Sequence, residues 1–127
     1  MIISTNYNHN ISFPIIELVD RYIISELKFE KTGANINEYN FYKKQMLALD
    51  ILLIHSHLSD LKKIHQQIWE LEYLLKSGHE EQLELAEIGR RAIEIRNLNR
   101  KRIQLKNLMA DILNDPVKEI KQEHLSE

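Results

Sequence analysis

Cysteine is absent from this chain, and its 127 residues include only Gly 3 and Pro 2. Without cysteine there are no disulfides, no thiolate metal sites and no thiol nucleophile. So few turn residues argue against β and α/β folds, whose many short elements need glycine and proline between them. Aromatics are sparse at 7%. The longest apolar run, Met46 to Ile54, is broken only by Asp50 and is far shorter than the roughly 20 residues a bilayer requires. It is expected to be a core segment, and no membrane association is expected. A net charge of −2 gives no general attraction to nucleic acid or anionic lipid. The first ten residues are rich in Asn, Ser and Thr and lack a basic region followed by a long apolar one, so no secretory signal is expected. A reducing, cytoplasmic setting fits.

What remains is 43% apolar and 28% charged, enough for one core and one domain. The predicted organisation is an N-terminal arm over 1–11, a single helical domain over 12–113 and a charged, frayed tail over 114–127. Ser12 and Pro14 read as the start of a first helix that runs to about Lys31, with Gly33 available for a left-handed cap. A second helix carries Tyr39, Tyr42, Met46, Leu49, Leu53 and His57 at steps of three or four. His55 to Asp60 interrupts it, Ser59 offers a cap for a third helix over Leu61, Ile64, Ile68, Leu71 and Leu75, and Gly78 closes that helix. From about Glu80 to Leu113 a last helix runs until Asn114-Asp-Pro116, long enough to bend near Gly89 or to overhang and pair with another subunit. The predicted fold is all-α, an antiparallel bundle of three to four helices with a long C-terminal helix.

On the first helix, Glu17, Asp20, Arg21, Ile24, Lys28 and Lys31 fall in one stripe, opposite a broad face of Ile15, Leu18, Val19, Tyr22, Ile23, Leu27 and Phe29. Glu26 and Glu30 lie near the centre of that apolar face, where a carboxylate needs a cation, a donor or a shifted pKa. The last helix shows the converse. Ile88, Ala92, Ile95, Asn99, Arg102, Lys106, Met109 and Leu113 form one stripe, so Asn99, Arg102 and Lys106 interrupt an apolar seam. The simplest expectation is that Glu26 and Glu30 meet Arg102 and Lys106 in the core.

The run Glu17-x-x-Asp20-Arg21-Tyr22-x-Ile24-x-x-Leu27-Lys28 resembles the N-terminal signature of a small family of uncharacterised bacterial and viral all-helical proteins. Further matches lie at Ile68-Trp69-Glu70-Leu71-Glu72 and at Asn99-x-x-Arg102-x-x-x-Lys106, so the resemblance spans about Ile11 to Leu113. Ile23 stands where the family carries Thr or Ser, and the Gly common before the first Glu is missing. The resemblance implies a shared fold and brings no chemistry with it.

Two functions follow from these residues. One is a non-catalytic interaction or accessory protein, a homo-oligomer or a partner to another protein, whose buried ion network fixes geometry. The other is an enzyme or binding module in which Arg102 and Lys106 hold a small phosphate- or carboxylate-bearing metabolite, Asn99 orients it, and Glu26 or Glu30 handles a proton. Glu80-Glu81-Gln82-Leu83-Glu84 has the form by which all-α nucleotide pyrophosphohydrolases hold magnesium, but the second acidic motif they need is missing. His55, His57 and His65 give no i, i+4 pair, so no metal site and no cofactor is expected. The basic run from Arg90 to Lys106 lacks interleaved aromatics and reads as a solvated face, which makes nucleic acid an unlikely partner.

Overall fold

Pro14 fixes the backbone (φ −52°) ahead of the first helix, α1 (Ile15–Thr32), and Gly33 ends it in the left-handed region at φ 67°, its N–H bonding to the carbonyl of Phe29 at 2.8 Å. These features come from a computed structural model that describes residues 14–76, 80–117 and 119; the expected arm, the Ser12 cap and Gly78 lie outside them. Helix α2 (Ile36–Met46) returns antiparallel to α1. Arg21 reaches the Tyr42 hydroxyl near one end, Lys28 pairs with Glu38 at 3.3 Å near the other, and Tyr39 stacks on both Tyr22 and Phe29. A 3-10 turn at Ile51–Ile54 leads into α3 (His55–Lys76), and a second at Glu80–Gln82 precedes α4 (Leu85–Ile112). The described residues are therefore an all-α bundle with a long C-terminal helix, about 42 Å at 1.5 Å per residue. Gly89 sits inside α4 without ending it.

The boundary between the second and third helices differs from expectation. Helix α2 ends at Met46 and gives way to tighter turns, and Ser59 lies well inside α3. No glycine or proline marks the break. Residues Leu47, Ala48 and Leu49 tighten into i→i+3 bonds because the chain must turn from a helix packed on α1 to one packed on both α1 and α4. The apolar run is also corrected. Met46 and Ile54 are buried and Leu49 packs against the core, but Ile51 and Leu53 are exposed, and Leu47 and Leu52 are 82% and 83% exposed. The core itself joins Val19 and Ile23 of α1 to Met46, Ile54, Leu61 of α3 and Met109 of α4.

The end of α4 closes the fold. Asn114 takes φ 61°, its N–H bonds to the Asp111 carbonyl at 3.2 Å, and the Asp115 N–H bonds to that of Ala110 at 2.8 Å, a Schellman arrangement followed by Pro116. This turn buries Asp115 and aims its carboxylate at α1, where Oδ2 accepts the Ile16 N–H at 3.1 Å. A helix start is thus capped by a residue 99 positions away. Asp115→Ala is expected to destabilise the fold by about 1–2 kcal/mol, the range of a lost cap, with Asp115→Asn recovering most of it because an acceptor remains. Urea titration of the two variants distinguishes them.

Candidate functional site

Seen from the core, the stripe drawn for α1 is split. Arg21, Ile24, Lys28 and Lys31 face outward, whereas Glu17 and Asp20 turn toward α3 and α4. The reason is that Asp20 lies one position from Val19, a fully buried core residue, and one turn from Ile16 and Ile23, so the helix cannot bury these without drawing Asp20 in.

Asp20 is the centre of a buried charge network. Its Oδ1 lies 2.7 Å from Nε2 of His65 on α3, and its Oδ2 accepts from Arg102 Nη1 at 2.9 Å and Lys106 Nζ at 3.5 Å, both on α4. Arg102 Nε also donates to Asn99 Oδ1 at 3.1 Å. Lys106 is 1% exposed and reaches Glu17 at 3.1 Å and Glu119 at 2.6 Å. Arg102 Nη2 stands 3.9 Å from the other oxygen of Glu119. Asn107 fixes that glutamate by its backbone, donating to its carbonyl at 2.9 Å and accepting its N–H at 3.0 Å.

Burial by itself would raise the Asp20 pKa, but the hydrogen bond with His65 and the positive charges around it hold the carboxyl below the usual carboxylate value. Burial works against Lys106 in the same way, and the Asp20 charge together with hydrogen bonds to Glu119 and Glu17 outweighs it, raising the ammonium pKa. Asp20 and Lys106 are therefore ionised and paired.

The residues singled out in the sequence divide between two places. Asn99, Arg102 and Lys106 do come together, and with them Glu17 and Asp20. Glu26 and Glu30 do not join them. Their cation is Lys62 of α3, at 3.0 and 2.6 Å, and Tyr22 and Tyr39 donate to Glu26 as well. About two turns of α1 beyond Asp20, the apolar face has rotated from α4 toward α2 and α3. Trp69, half-buried beside Tyr73 and Lys76 in a shallow 210 Å³ cleft, takes no part in the network.

Sequence reasoning missed His65 and Glu119. His65 stands four residues after Leu61 and three before Ile68, both buried, so it interrupts the seam of α3 as Asn99 interrupts that of α4. The same face-counting finds it. Glu119 falls in the expected frayed tail, and no local signal ties it to Asn107, because that tie depends on the turn at Asn114.

A second feature lies between α1, the 47–53 turn and α3. A groove of about 610 Å³ is lined by Ile23, Met46, Leu47, Leu49, Ile51 and Leu58, with Lys43, Glu26 and Lys62 among its polar groups. Among the described residues no three His, Asp or Glu side chains converge to hold a metal ion, and no helix is long and apolar enough to cross a membrane. Comparison with known protein families, with curated proteins and with solved structures finds no match.

Proposed function

We propose that the chain is a non-catalytic interaction protein that self-associates, with the buried charge network setting the angles between its helices. Closure of that network carries this reading. Both Asp20 oxygens are taken, Lys106 has three carboxylate partners, and the cations and acids satisfy one another without a substrate. A general base must have a reacting proton within hydrogen-bond reach, and the Asp20–His65 pair is instead turned into the protein.

The associating surface in this reading is the 47–53 turn and the groove beside it. Leu47 and Leu52 project beside a groove of apolar character, and a second copy supplies the matching parts. Among the described residues Asp50 on the turn has no cation partner, and Lys43 in the groove has no carboxylate, only the face of Tyr39. In a two-fold pair each Asp50 meets the other copy's Lys43. Light scattering at micromolar concentration is expected to give a mass above the 15.1 kDa of one chain. Asp50→Lys and Lys43→Glu are each expected to weaken association about tenfold or more, and the double variant to restore it. A single-chain mass for the native protein removes the reading.

A second reading, a site for an anionic group, is favoured by one observation: the carboxylate of Glu119 spans Lys106 and Arg102 as a bound anion would.

A further inference from the structure

We propose that Lys106, Arg102 and Asn107 form a recognition site for one acidic residue of a peptide, filled here by the chain's own Glu119 and open to an acidic segment of another polypeptide when that residue leaves. The proposal rests on the anion-site reading and names its ligand class.

The contacts divide as they do in peptide recognition. Asn107 reads the main chain of a single residue in both directions, at 2.9 and 3.0 Å, and this pairing is indifferent to the side chain. The side chain is read separately, one carboxylate oxygen by Lys106 at 2.6 Å and the other by Arg102 at 3.9 Å. Neither cation depends on Glu119 for its position. Asp20 holds Arg102 and Lys106 from behind, Asn99 holds the Arg102 Nε, and Glu17 holds Lys106. The site thus stays built when its occupant leaves.

The occupant is less firmly placed than the site. Glu119 keeps 30% of its side chain exposed against 12% for Arg102 and 1% for Lys106, and Pro116 and Val117 before it lie on the surface. A residue tethered this way competes at an effective concentration of order mM, so the native chain is expected to take an external acidic peptide only weakly.

The test uses the full-length chain as Glu119→Ala, with Glu119→Gln, which keeps the shape and deletes only the charge, as the variant that guards against misfolding. The probe is a fluorescein-labelled peptide of the 117–121 sequence, Val-Lys-Glu-Ile-Lys, followed by anisotropy. Binding at least tenfold tighter to the Glu119 variants than to the native chain is expected. The signal should fall at least tenfold when Asn107→Ala is added, and again when glutamine replaces the glutamate of the peptide. Inorganic phosphate and succinate are run in parallel by thermal shift. If these small anions stabilise the Glu119 variants while the peptide does not bind, the peptide proposal falls and the anion site stands. If neither has any effect, both fall.

Discussion

Asp20→Asn is expected to lower the unfolding free energy by about 3–5 kcal/mol, because it leaves Lys106 and Arg102 buried with too little negative charge. That is a large part of the roughly 5–15 kcal/mol that holds a typical domain together. Urea unfolding should show the midpoint falling with little change in slope. Arg102→Met is expected to be milder, since it leaves Asp20 with both His65 and Lys106. A loss below about 1 kcal/mol for Asp20→Asn would mean that these charges are kept for something other than folding. Acid gives an independent check. The folded Asp20 carboxyl has a depressed pKa, so its contribution is complete above the unfolded value of about 4 and drains away as pH falls through the lower folded value. Lys106 has a raised pKa, so its share is complete below about 10.4 and is lost as pH climbs past the folded value. The contributions of Asp20 and Lys106 should therefore be flat between these limits, and the acid limb should flatten in Asp20→Asn.

Leu61→Ala should cost about 2–5 kcal/mol, while Leu52→Ala should change stability by no more than about 0.5 kcal/mol. Leu61 is fully buried between α1 and α4, so truncation leaves a cavity lined by Val19, Ile23 and Met109, whereas Leu52 faces outward beside the groove. Parallel denaturant titrations test the pair. If Leu52→Ala instead lowers the light-scattering mass, its apolar surface acts between chains.

Those two leucines also mark how far the sequence could be read. Periodicity of 3.6 found the four helices, the left-handed cap at Gly33 and the stop at Asn114-Asp115-Pro116, because each is written in neighbouring residues. The polar interruptions of α4 were legible for the same reason. Their partners were not. A helical wheel treats a face as straight along its length, yet α1 presents Glu17 and Asp20 to α4 and, two turns later, Glu26 and Glu30 to Lys62 of α3. Choosing the acid that meets Arg102 requires knowing where the helices cross. The break after Met46 lay equally out of reach, since it answers to the packing of α2 on α1 and not to any residue at the turn.

The tie between Asp115 and Ile16 has a consequence for the order of events during synthesis. At the ribosome α1 emerges first, but the group that satisfies its leading N–H is made 99 residues later, together with the glutamate that completes Lys106. At about 5–20 residues per second that is a delay of roughly 5–20 seconds. For that interval the nascent chain holds a first helix without its cap, and a charge cluster whose acids Glu17 and Asp20 have been translated before its cations and before Glu119. Final docking of α1 is therefore expected only after residue 115 has been made, and a chain stalled short of it should be an open target for proteolysis even though nearly all of its core residues are already present.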